Sequence, residues 1–176
     1  MYDSGVKKEN FSLNAVEFQL ERSLERLKTD YLDIYYFHSG NNGDFFRDEL
    51  WEFLNRKKKE GKIRSLGLSL KHSLVIEKDH KQILYCKNYG IDTIQTVLNF
   101  ASRASLDFVI PFCKKNKLKI ITRMPLAKGL LSGKYKVGHK FFQNDDRSNS
   151  PEINNNILSH NINSPEKAIN WVKQNV

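Results

Sequence analysis

Tyr31-Leu32-Asp33-Ile34-Tyr35-Tyr36-Phe37, closed by His38, is a run of aromatic and branched residues. It reads as a buried strand. Its flanks decide the fold. Upstream, Ser12 can cap a helix, and Val16, Leu20, Leu24 and Leu27 recur every three or four residues, one apolar stripe that Thr29-Asp30 ends. Downstream, a polar turn from Ser39 to Gly43 leads to a second helix. Asp44 or Asp48 opens it, Phe46, Leu50, Phe53 and Leu54 face inward, and Gly61 stops it.

The pattern repeats along the chain. Ile63 to Leu68 is a short strand, residues 74–89 are a helix closed by Gly90, and Ile91 to Leu98 is a third strand. Residues 104–116 follow as a helix, with Pro111 inside it and expected to kink it, and Leu118 to Met124 is a fourth strand. Strands and helices alternating at this length mean parallel pairing with right-handed crossovers. Residues 136–163 are rich in Asn, Asp and Ser and are expected to form a long mobile loop. Ser164-Pro165-Glu166 then starts a last helix carrying Ala168, Trp171 and Val172. The expectation is one α/β domain over residues 1–176, with about four strands and five helices. A parallel sheet of four strands has two raw edges, so copies of the chain are expected to be able to associate through them.

Composition narrows the class of function. Of 176 residues, 39% are hydrophobic and 28% charged, which excludes collagen-like, coiled-coil and grossly disordered chains. No apolar run approaches the roughly 20 residues that cross a bilayer. Met1-Tyr2-Asp3-Ser4-Gly5 has no apolar stretch of the kind a signal peptide carries, and the two cysteines, Cys86 and Cys113, cannot form a disulfide scaffold. A cytoplasmic setting is expected. The net charge of +9, from 29 basic and 20 acidic residues, would suit an anionic partner. Its two clusters, Arg56-Lys57-Lys58-Lys59 and Lys114-Lys115-Asn116-Lys117 with Lys119, fall at expected helix carboxyl ends, where they complement the helix dipole. That placement argues against nucleic acid.

Parallel α/β folds bind ligands at the carboxyl ends of their strands. His38 ends the first strand, and an imidazole there can donate a hydrogen bond to a carbonyl oxygen, relay a proton, or simply satisfy loop carbonyls. Ser69 ends the second, and Gln95 to Asn99 the third. Hydroxyl and amide suit another amide, or again a neighbouring loop. The run from Pro125 to Tyr135 sets a turn, small residues and two lysines just past the fourth strand, a setting that suits a pyrophosphate although it is neither GxGxxG nor a P-loop. His72, His80, His139 and His160 read as surface residues. Both cysteines read as core residues, no serine stands in a GxSxG context, and metal-ligand spacing is absent.

Together these segments resemble the aldo/keto reductases. Ser23 to His38 resembles the family's signature leading into its fourth barrel strand, Gly61-Lys62-Ile63-Arg64-Ser65-Leu66-Gly67-Leu68-Ser69 its fifth strand, Gln95 with Asn99 its sixth, and Met124 to Tyr135 the turn after its seventh. The order and spacing agree over residues 12–176. The resemblance implies a parallel (β/α) TIM barrel, here about four of its strands, and a reaction in which NADPH reduces an aldehyde or ketone. It implies that His38 orients the carbonyl, that Ser69 and Gln95 hold the nicotinamide carboxamide, and that Met124, Pro125, Leu126, Ala127 and Lys134 lie along the cofactor diphosphate. The family's Asp, Tyr and Lys have no matching positions here, and Tyr2 stands in an unrelated context. The isolated chain is therefore expected not to catalyse hydride transfer. Leu70 replaces the family's Asn or Arg, and Arg123 an aromatic residue that stacks on the nicotinamide. A non-catalytic module that completes its sheet by oligomerisation is the alternative expectation.

Overall fold

Ser12 opens the first helix as its side chain suggests: its Oγ accepts the Ala15 N–H at 3.4 Å. The computed structural model describes residues 10–149, 151–160, 162 and 164–176; Tyr2 and the segment read for a signal peptide lie outside them. The chain divides into two compact units, Met1–Ile94 and Gln95–Val176.

In the first unit, helix α1 spans Leu13–Leu27 and strand β1 Leu32–His38. Val16, Leu20 and Leu24 are buried, but Leu27 is 66% exposed. The helix ends at left-handed Lys28 immediately after it, so no further turn follows to cover it. The single helix expected next is two: α2, Asn42–Phe45, and α3, Asp48–Lys59. The break moves the inward aromatic by one position. Phe45 is wholly buried against Phe37, Trp51 and Tyr89, and Phe46 is partly exposed. The Trp51 Nε1–H donates to the Phe45 carbonyl at 2.6 Å, which fixes the corner.

Strand β2, Ile63–Ser69, follows left-handed Gly61. The helix expected over 74–89 is broken into α4, His72–Ile76, α5, Lys81–Tyr85, and a 3-10 turn, Cys86–Tyr89. Lys78 is left-handed, and Asp79 accepts the Lys81 N–H at 3.2 Å and the Asn42 amide at 2.7 Å. That turn chemistry overrides helix propensity. Strand β3, Ile91–Val97, begins in this unit. Ser65 Oγ meets both Thr93 Oγ1, at 3.0 Å, and the Asp92 carboxylate.

Strands β1 and β2 pair in parallel, with Ile34 opposite Ser65, Tyr36 opposite Gly67 and His38 opposite Ser69. The alternate residues Tyr35 and Phe37 face the helices. The Tyr35 hydroxyl donates to the Val16 carbonyl at 3.3 Å, and Phe37 stacks on Phe11 at 4.5 Å.

In the second unit, β3 ends and, beyond a 3-10 turn at Ala104–Leu106, helix α6 spans Val109–Lys115. Starting at Val109, it puts Pro111 in its first turn, where the missing N–H has no helical acceptor to lose, so the kink expected from a longer helix does not arise. Strand β4 is Lys119–Arg123; the Leu98 N–H donates to the Arg123 carbonyl at 3.3 Å and so ties it to the end of β3. Residues 136–163, expected as a loop, hold a 3-10 turn at Asp146–Asn149 and helix α7, Pro151–Leu158. The side chain of Asn154, on α7, donates to the Arg147 carbonyl at 2.6 Å, so polar composition here serves caps and turns. Helix α8, Pro165–Asn175, starts as expected: Ser164 Oγ accepts the Lys167 N–H at 3.2 Å. Ala168 and Val172 are buried. The strand order is β1-β2-β3-β4.

Candidate functional site

His38 and Ser69 are register partners at the carboxyl ends of β1 and β2. The imidazole is exposed and the serine fully buried. Beyond His38, Ser39 turns left-handed (φ 55°), and its N–H donates to the Ser69 carbonyl at 2.9 Å. Backbone therefore ties the two strand ends one residue past the last side-chain pair. Gly40 then packs so closely that a Cβ would stand 2.4 Å from the Phe37 ring, while its carbonyl accepts the buried Gln82 amide at 3.0 Å. A cavity of about 150 Å³ opens beside His38, lined in part by Phe11, Gln19, Tyr35 and Tyr36.

Tyr36 is the residue that sequence reasoning passed over. Two positions before His38, it lies on the same face of β1, a placement that period-two alternation alone could have given. Its ring covers Gly67, where a Cβ would come within 2.4 Å of it. Its buried hydroxyl has no hydrogen-bond partner among the described residues. Burial raises its pKa above the ordinary tyrosine value.

In the second unit, Gln95 is half-buried on β3. Asn99, just beyond β3, is 2% exposed and works through its whole amide: Nδ2 donates to the Met124 carbonyl at 3.0 Å, and Oδ1 accepts the N–H groups of Ala101 and Ser102 at 3.0 and 2.8 Å. Past β4 the backbone is left-handed at Met124, Ala127, Lys128 and Gly129, with φ of 60°, 48°, 56° and 87°. Ala127, Leu130 and Leu131 anchor this turn in a cluster with Ala168, so Ala127 offers backbone to the surface rather than side chain. Met124, Lys128 and Lys134 are exposed, and Pro125 and Leu126 half-buried. The Ser132 hydroxyl donates to the Gly129 carbonyl at 2.6 Å. Arg147, from the segment read as a loop, donates to the Lys128 carbonyl at 3.0 Å.

The first unit thus brings His38 and Ser69 together, and in the second the Asn99 amide holds Met124 at the start of the turn that carries Pro125, Leu126 and Ala127, with Lys134 just past the 3-10 turn at Leu130–Ser132. Of the histidines read as surface, His139 and His160 are exposed, but His72 and His80 are half-buried. Cys86 and Cys113 are fully buried, and burial pushes the Cys86 thiol up to about 11, which makes it a core residue rather than a nucleophile. Among the described residues no group of three or more metal-ligating side chains forms, and no helix is long and apolar enough to cross a membrane.

Comparison with known proteins adds a family. The family described as "Aldo/keto reductase family" matches residues 2–175. The NADH-specific methylglyoxal reductase of Escherichia coli (strain K12) is 34% identical over 127 residues, which are 70% of this chain and 37% of that protein. An NADP(+) aldo-keto reductase of Schizosaccharomyces pombe, yakc, is 27% identical over 171 residues, 92% of this chain and 47% of that protein. The solved structure of the glycerol dehydrogenase AKR11B4 from Gluconobacter oxydans superposes with a TM-score of 0.73 and 26% identity, covering 85% of this chain and 44% of that one. The chain spans less than half the length of these relatives.

Proposed function

Since the chain belongs to the aldo/keto reductase family and its parallel strands have that family's (β/α)-barrel architecture, we propose that its residues build part of a site for NADP-linked reduction of an aldehyde or ketone. The register of β1 against β2 carries this reading: it sets an exposed imidazole beside a buried hydroxyl at two adjacent strand ends of the kind that bind ligands.

When bound, the cofactor supplies the hydride. His38 donates a hydrogen bond to the substrate's carbonyl oxygen and so orients it. The Ser69 hydroxyl of the first unit and the Gln95 amide of the second are each of a kind that would suit the nicotinamide carboxamide, the hydroxyl as donor or acceptor and the amide as both. Met124, Pro125, Leu126, Ala127 and Lys134 would line the diphosphate. The turn fits an anion by charge and by space. Lys134 is exposed, as is Lys128, whose ammonium stands 3.9 Å from the Asp146 carboxylate, and above left-handed Gly129 a Cβ would meet nothing nearer than Arg147 Nη1 at 3.7 Å. Names of relatives include both an NADH-specific and an NADP(+) enzyme, so both nucleotides belong in the test.

These 176 residues by themselves bind without turning over. A positioned general acid contributes roughly 10²–10⁴-fold, and the resemblance matches no position here to the family's proton-donating Tyr or to the Lys and Asp that lower its pKa. Titration of NADPH and NADH fluorescence with the pure chain should show saturable binding that Gln95→Ala weakens, with no oxidation of either nucleotide by a reactive small aldehyde. No saturable binding, or clear turnover, would overturn the respective half of the proposal.

A second reading is a non-catalytic module that completes its sheet by association of copies. It is supported by the place of β1 and β4 at the two ends of the strand order among the described residues. Light scattering separates the two: a monomer at all accessible concentrations removes the second reading.

A further inference from the structure

We propose that Arg147 is a positioning residue, which pins the left-handed turn Met124–Gly129 in the conformation that presents its backbone to a diphosphate; this rests on the reading of that turn given above. Three residues other than glycine in six adopt positive φ there. Such backbone is disfavoured and persists only where its surroundings over-determine it. The surroundings supply three holds. The Asn99 amide takes the Met124 carbonyl at the start, the Ser132 hydroxyl takes the Gly129 carbonyl at the end, and Arg147 takes the Lys128 carbonyl between them.

Arg147 is itself fixed from every side. Its Nε and Nη2 donate to the two oxygens of Asp145 at 2.9 and 2.6 Å, a fork that leaves Nη1 free to reach Lys128. The guanidinium lies 4.3 Å from the Phe141 ring centroid and 4.9 Å from that of Tyr135. Its backbone carbonyl accepts the Asn154 amide. Because Asp145 pairs its charge, Arg147 serves the turn by geometry and not by adding a cation. A lysine keeps the charge but cannot make the fork, the ring contacts and the reach to Lys128 together.

The test uses the full chain with Arg147→Ala and Arg147→Lys. Amide exchange is followed at Ala127, Gly129, Leu130 and Leu131, whose N–H groups bond within the turn, and at α8 as an internal reference. Both variants should exchange at least about tenfold faster in the turn, with α8 unchanged, and should bind NADPH about tenfold more weakly. Unchanged turn exchange overturns the proposal, as does equal acceleration in α8, which would mean a general loss of stability. Wild-type behaviour of Arg147→Lys also overturns it, because charge would then suffice. Absence of NADPH binding in the unmodified chain would sink the diphosphate reading alone, since exchange decides the pin without any nucleotide.

Discussion

Tyr36 carries a polar atom that the described part of the protein does not use. A buried hydroxyl without a partner costs more than the phenyl ring that would replace it, so Tyr36→Phe should raise stability by about 1 kcal/mol in urea unfolding. A fall in stability would reveal a partner for the hydroxyl in solution. Asp145 shows the opposite case, a charge fully used. Hydrogen bonds from Arg147, first through its side chain and then its backbone, hold the carboxyl down to about 2. A carboxyl depressed in the folded state contributes stability above the ordinary value of about 3.9, and that contribution disappears as the pH falls towards 2. The Asp145 side-chain carbon should therefore titrate with a midpoint of about 2 by NMR, returning to about 4 in Arg147→Ala. An ordinary midpoint in the unmodified chain would show the pair open. Residues such as His38 and Ser69 were legible from the sequence because each closes an apolar run. Asn99 as a clamp and Arg147 were not, because each acts on a backbone carbonyl 25 or 19 residues away, which no local pattern records.

At the level of elements, the parallel ladder of β1 and β2 depends on a missing side chain. A Cβ on Gly67 would stand 2.4 Å from two atoms of the Tyr36 ring and 3.0 Å from Ile34. Gly67→Ala should thus cost about 1–3 kcal/mol, an overpacking penalty, read as a lowered midpoint of unfolding. Tyr36→Phe keeps the ring, so it should not relieve this cost, whereas Tyr36→Ala in the same chain should relieve part of it. The order of strands and helices was readable because caps and periods are local. Ser12 and Ser164-Pro165 announce α1 and α8 at the residues where they begin. The breaks were not readable. Residues 74–89 carry helical spacing throughout, and what divides α4 from α5 is the Asp79 carboxylate held by Asn42, 37 residues upstream. Pro111 suggested a kink only because the helix was expected to begin five residues too early.

For the molecule as a whole, the +9 charge is less available than its size suggests. Lys57 lies between Glu60 and Glu17, Lys58 meets Asp92, Lys62 meets Glu21 and Arg64 meets Asp33. The basic cluster at the end of α3 is thus partly neutralised within its own unit. Any affinity for random duplex DNA should vanish between about 50 and 200 mM salt, the behaviour of loose counterion exchange. Affinity that persists there would mean a built nucleic-acid surface. The two cysteines lead elsewhere. Cys86 is fully buried in the first unit and Cys113 in the second. A thiol-reactive dye can reach neither until the fold around it parts. The chain therefore contains two natural stopwatches, one in each half, and mass spectrometry of the labelled peptides would time the breathing of each half separately without an engineered probe.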